Sequence, residues 1–310
     1  MRRDLSFAGA RLASVCILIA VCFAHHVRSQ TSPDPGAVPR DCNPYRTYDP
    51  WSRCQQPASV PNSTKANYQA VWETLDGAKK RKQLVASFYR RANKSELDAL
   101  RPEKIDVDRY KVNLSDKAYD LFRLVPDLKC SGGGNPSECA KLTMPGNGAS
   151  YSFRERGYRI PRLADLTYSN HVLNAGSRYT LGIMTELGDV NLATLSTSSE
   201  RVKALSDMTT FDERAKIELE FRKFERNPLI EGHRYSNTVL PVVGKVYLLR
   251  SIAYKTVAVQ KNLDVTYDEF EFDKRNDIIV AFKIVRIDKD GTVTILSKVI
   301  DEKESPKLRK

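Results

Sequence analysis

The chain has 310 residues, a formal net charge of +12, six cysteines and only four histidines. That length allows one large domain or two smaller ones with an ample apolar core, and so few histidines argue against a histidine-rich metal centre. Acids and bases are interleaved along most of the chain, as in DERAKIELEFRKFER, so the excess charge reads first as solvated surface and second as a polyanion-binding surface.

Residues 1–29 read as a signal peptide. Arg2, Arg3 and Arg11 precede the apolar run from Leu12 to Ala24, which is short for a membrane span, and Val27 and Ser29 fit a cleavage site before Gln30. Valine precedes both Cys16 and Cys22, against a lipoprotein signal. The expectation is an exported protein, periplasmic or extracellular, with no transmembrane segment after signal removal. Cys42, Cys54, Cys130 and Cys139 remain, an even set that points to disulfides. The sequence-local pairing, Cys42–Cys54 with Cys130–Cys139, is expected among the three that are possible.

Residues 30–64 form a proline-rich polar leader around the Cys42–Cys54 loop. Residues 65–129 read as helical. Helix formers run from Lys65 to Ala92, Ser95 heads SELDAL, and Ser115 heads SDKAYDLFRLV, which Pro126 ends. Residues 130–150 are a glycine-rich loop, the best boundary candidate in an otherwise integrated unit. Residues 151–300 alternate in the manner of strands, apart from one helix: Thr210 and Glu213 suggest its capping box, Ile217, Phe221 and Phe224 its buried face, and Glu218 and Arg222 an ion pair. A C-terminal meander is expected over Lys245–Tyr254, Val265–Phe272, Asn276–Ile287 and Gly291–Ile300. Its third strand is apolar on much of both faces, which suits a central position. The charged tail 301–310 reads as frayed. The fold class is α+β, a helical N-terminal region with a largely antiparallel β-rich body.

MPG (Met144–Gly146) and SYSFRERGYRIPRLADLTY, with LGDVNLATL, YLLRSIAY and EFDKRNDIIVAFKIVRIDKDGTVTIL, together resemble a family of exported bacterial proteins of uncharacterised activity. The likeness runs from about residue 84 to 306 in the same order. It implies export from a bacterial cytoplasm and a shared fold, argues against glycosylation of the sequons at Asn62, Asn93 and Asn113, and implies no activity.

Chemistry is sparsely signalled. Beyond the signal only His171 and His233 remain, no G-x-S-x-G elbow or H-E-x-x-H pattern occurs, and the triple glycine at 132–134 lacks the Lys-Ser/Thr of a phosphate loop. The sharpest catalytic candidate is YDEFEFD. Extended, it puts Glu269, Glu271 and Asp273 on one face, with neighbours roughly 6.5–7 Å apart, in the range of an inverting glycosidase pair. The same alternation also suits a half-buried strand with a wet face. The basic run Lys79, Lys80, Arg81 and Lys82 is a candidate polyanion contact or the wet face of a helix. Asp288-Lys289-Asp290-Gly291 resembles part of a calcium loop, but Arg286 and Ser297 stand where ligating acids are needed, so Asp290-Gly291 reads as a hairpin turn. No metal or cofactor is called for, and no nucleic-acid-binding signature appears. The leading expectation is a non-enzymatic binding or structural module whose partner is an envelope polysaccharide or another envelope protein. The alternatives are a polysaccharide hydrolase using the 269–273 carboxylates and a basic polyanion-binding module.

Overall fold

The computed structural model describes residues 83, 85–126, 144–177, 179–262 and 265–309, all within one unit spanning Pro44–Lys310. The signal peptide, the leader, the four cysteines with their pairing, the 79–82 basic run and most of the 130–150 loop lie outside the described residues. The chain mixes helices with a large antiparallel sheet.

Residues 85–88 are helical, followed by α1 (Lys94–Ala99), α2 (Lys104–Arg109) and α3 (Lys111–Leu114). The cap of α1 is Asn93 rather than Ser95: its side chain accepts from Glu96 N while the Glu96 carboxylate accepts from Asn93 N, a reciprocal capping box. The sequence also misleads at SDKAYDLFRLV. Tyr119–Leu124 is a strand, β1, pairing along its whole length with the last strand of the sheet. Phe122 and Leu124 enter one buried cluster and Leu121 another. Tertiary pairing outweighs the helix-like local pattern.

Next come β2 (Ser150–Ser152), β3 (Gly157–Tyr158), β4 (Leu166–Ser169), β5 (Val172–Ser177) and β6 (Thr180–Gly188). His171 sits in the β4–β5 turn, where Asn170 and His171 both take positive φ. Two helices follow, α4 (Glu200–Asp207), which the sequence reading misses, and α5 (Arg214–Glu225). In α5 the buried face is Ile217, Phe221 and Phe224, as expected. The Thr210–Glu213 capping box does not form: Glu213 is itself the N-cap, without a side-chain cap, and Glu218 pairs with Arg214 rather than Arg222.

The chain then makes three short strands, β7 (Leu229–Ile230), β8 (His233–Arg234) and β9 (Thr238–Val239), followed by β10 (Val246–Ala253), β11 (Val259–Asn262), β12 (Val265–Asp268), β13 (Asn276–Ile287) and β14 (Val293–Glu304). The main sheet has the order β1-β14-β13-β10-β6-β5-β4-β2-β3, with β9 beside β5. The expected meander needs one correction. β10 pairs directly with β13, while β11 and β12 form a separate two-stranded excursion. The Asp290-Gly291 turn does join β13 to β14, with Gly291 at φ +83°.

The sheet curls until its ends meet. Tyr158 of β3 donates to the Arg123 carbonyl at 2.6 Å and accepts from the Arg123 amide at 3.3 Å, on β1. Beside it, Phe122 and Tyr151 stack with centroids 3.7 Å apart. The concave interior is filled by Phe122, Tyr151, Phe153, Tyr247, Phe282 and their neighbours. Helices α4 and α5 cover part of the outer face through Leu205, Ile217 and Phe221. Strand β13 feeds both layers: Ile278, Val280, Phe282 and Ile284 face inward, and Ile279, Ala281 and Val285 face outward. The two-faced apolar pattern of its sequence follows from this central place. The tail is not frayed. Lys255 and Lys307 form a bridge, Leu308 is buried, and Arg309 pairs with Asp212 at 2.6 Å.

Candidate functional site

Two stretches separated by more than a hundred residues converge. SYSFRERGYRIPRLAD forms the β2–β3 hairpin and the loop into β4, and EFEFDKR leads from the excursion into β13. Arg154 is the hub between them. Its Nε donates to Asp165 Oδ1 at 2.8 Å, and its terminal nitrogens donate to Asp273 Oδ2 at 3.0 Å, to the Lys274 carbonyl at 2.6 Å and to the Leu163 carbonyl at 3.3 Å. Asp165 also accepts from Ser251 Oγ, Ser152 Oγ and the Phe153 amide. Burial opposes the charge on Arg154, but Asp165 and Asp273 outweigh it and push its pKa up.

Arg275 completes the core of the network. It donates to Asp273 Oδ2 at 2.8 Å and to the carbonyls of Tyr179 and Tyr254, and its guanidinium lies 3.9 Å from the Phe270 ring centroid. Burial pulls it down to about 10, against Asp273. Being paired, stacked and capped by carbonyls, it acts as structure.

The three acids expected on one strand face are not arranged so. Residues Glu269–Phe272 form a single 3-10 turn, with the Asp268 carboxylate accepting from Phe270 N at its start. The alternation that would align Glu269, Glu271 and Asp273 is therefore lost. Glu269 is fully buried against Arg162 at 2.9 Å, with Tyr89 Oη at 3.4 Å and Gln260 Nε2 at 3.3 Å. Tyr89 and Tyr267 share a hydroxyl–hydroxyl bond of 2.9 Å beside it. Glu271 is exposed, whereas the Asp273 side chain is closed off by Arg154 and Arg275.

A hollow of about 520 Å³, broadly open to solvent, lies where the two stretches meet. It is lined by Arg91, Arg154, Glu155, Arg159, Glu271, Phe272, Asp273 and Lys274. On its rim Arg91 pairs with Glu155, and Lys274 Nζ pairs with Glu302 at 2.5 Å. Tyr89 stacks on Phe272 at 4.7 Å. Arg159 differs from the other arginines here. Of the four buried arginines among the described residues, Arg154, Arg250 and Arg275 each have a carboxylate partner. Arg159, only 4% exposed, donates to the Tyr89 carbonyl at 2.8 Å and to the Phe272 carbonyl, and no carboxylate among the described residues pairs with it. Burial pulls its pKa down, and the longer-range pull of Asp273 and Glu155 opposes that.

The MPG motif supports the same residue. Gly146 takes φ +66°, and a Cβ there would stand 2.4 Å from the Arg159 carbonyl, to which Ser150 Oγ donates at 2.6 Å. Of the lining residues, Glu271 and Asp273 are legible in the sequence as candidates and Arg159 is not. The available signal was the density of arginines in RERGYRIPR, which composition alone cannot sort into paired and unpaired.

No group of three or more His, Cys, Asp or Glu side chains among the described residues could hold a metal ion. The acids of the calcium-like loop serve the turn instead: Asp288 pairs with Arg123 at 2.5 Å and Arg286 at 3.1 Å, and Asp290 accepts from the Thr292 amide and hydroxyl. Among the described residues no helix is long and apolar enough to cross a membrane. No protein-family model, curated protein or solved structure matches this chain.

Proposed function

We propose that the protein is an exported, non-enzymatic binding module of the cell envelope or extracellular space, with the hollow between the 150–165 and 269–275 segments as its binding surface. The observation that carries this reading is the construction of the hollow. Its floor is a buried, multiply bonded ion network, while two exposed cations, Arg91 and Lys274, and an aromatic ring, Phe272, stand at its edge. A rigid base with a few polar groups and a ring at the mouth is the usual build of a recognition site. The α+β assignment, with a helical N-terminal region leading into the sheet, belongs to the same proposal and draws on α1 to α3 and on residues 85–88.

The test is binding of the intact protein to envelope polysaccharide extracts, wild type against a Phe272→Ala, Lys274→Ala double variant. Loss of binding in the variant is expected, and equal binding by both proteins would remove the hollow from consideration. A second reading, polysaccharide hydrolysis, rests on the exposed Glu271 lining the same hollow. Release of reducing ends that Glu271→Gln abolishes would favour it over the first.

A further inference from the structure

We infer that Arg159 is the anion-receiving group of this hollow and that the ligand is an acidic saccharide, a hydroxyl-rich ring bearing an oxyanion; this rests on the hollow being the binding surface. A buried guanidinium is costly unless an opposite charge accompanies it, and the other three buried arginines among the described residues have theirs. Arg159 has two carbonyls, which satisfy two of its five N–H donors, but no carboxylate among the described residues contacts it. It is also the one of these four that combines a place in the hollow with the lack of a carboxylate partner.

The fixed carbonyl bonds hold the guanidinium plane in place, so its orientation is set before a ligand arrives. Arg91 and Lys274 then supply cations that can exchange their present partners, Glu155 and Glu302, for a ligand oxygen. Glu155 and Glu271 at the rim provide acceptors for hydroxyl groups, and Phe272 provides apolar surface for a sugar ring. A bare inorganic anion would leave those acceptors and the ring unused. A neutral sugar would leave the charge of Arg159 unmatched.

The experiment is calorimetric titration of the full protein with polygalacturonate (carboxylates), heparin (sulfates) and uncharged dextran. Wild type, Arg159→Gln, Arg159→Lys and Phe272→Ala are compared, with folding checked by circular dichroism. At least one acidic polymer is expected to bind and dextran not to, and whichever binds identifies the oxyanion. Arg159→Gln should weaken binding roughly tenfold to a hundredfold, the loss of a charge-assisted contact. Arg159→Lys should recover most of it. Should dextran bind as well as the acidic polymers, with Phe272→Ala weakening it and Arg159→Gln not, the inference fails while the hollow survives as a binding surface. No binding of any polymer overturns both. If Arg159→Gln does not fold, the wild type alone decides: galacturonate must raise its melting temperature more than galactose at equal concentration, and equal effects refute the inference.

Discussion

Arg154 and Asp165 meet with Nε 2.8 Å from Oδ1, and neither side chain has any exposed surface. The pair ties the β2–β3 hairpin to the start of β4, while Ser251 from β10 and Asp273 from the segment before β13 complete the same network. Four separate parts of the chain thus hold one another in register beneath the hollow. Removing one partner leaves the others buried and unmatched. Arg154→Met should therefore destabilise the fold by about 3–5 kcal/mol, read from the urea midpoint. Lys94→Ala, in an exposed pair with Asp98, should leave that midpoint unchanged.

Gly291 gives a second expectation. At φ +83° a side chain is strained, and a Cβ would stand 3.0 Å from Pro126 Cγ and 3.2 Å from His171 Cε1. Gly291→Val should cost about 1–3 kcal/mol and lower the melting temperature. Calcium should leave that temperature unchanged, because Asp288 and Asp290 are already engaged within the turn. A calcium-dependent rise would restore the metal-loop interpretation.

The C-terminal tail makes a third. Leu308 is 9% exposed and packs with the outer cluster, and Arg309 pairs with Asp212 ahead of α5. Ending the chain after Glu304 should cost about 2 kcal/mol from the lost apolar burial alone. An unchanged melting curve would mean that the tail is frayed after all.

Asp120 sets a pH dependence. Burial raises its carboxyl pKa, against hydrogen bonds from the Tyr151 hydroxyl and the Leu121 amide. The folded protein therefore holds this proton more tightly than the unfolded chain. The resulting stabilisation is fully present below the ordinary carboxylate pKa and is lost as pH rises through the raised folded value. Asp120→Asn keeps an acceptor for Tyr151 without the charge. Its advantage over wild type should be largest near neutrality and shrink on acidification, as measured by melting at stepped pH; a constant difference would contradict this.

Much of the sheet was legible because its strands carry period-2 patterns with local causes. Asn276–Ile287 is apolar on both faces since it lies between two buried layers, and Asp290-Gly291 marks its turn without help from distant residues. What was not legible depends on long-range pairing. Tyr119–Leu124 has a helix-like local pattern and becomes a strand only beside β14. YDEFEFD alternates like a strand, yet Asp268 starts a 3-10 turn after it and Glu269 turns inward to Arg162. The importance of Arg159 could not be read from RERGYRIPR. Whether an arginine of that run is paired depends on Asp165, Asp273 and Glu269, which the fold brings to Arg154 and Arg162 and not to Arg159.

The most direct measurement is chemical-shift mapping of short galacturonate oligomers on the isotope-labelled protein. The largest shifts should fall on Arg91, Arg159, Phe272 and Lys274. Shifts that spare these four and scatter over exposed lysines such as Lys216 and Lys223 would contradict this.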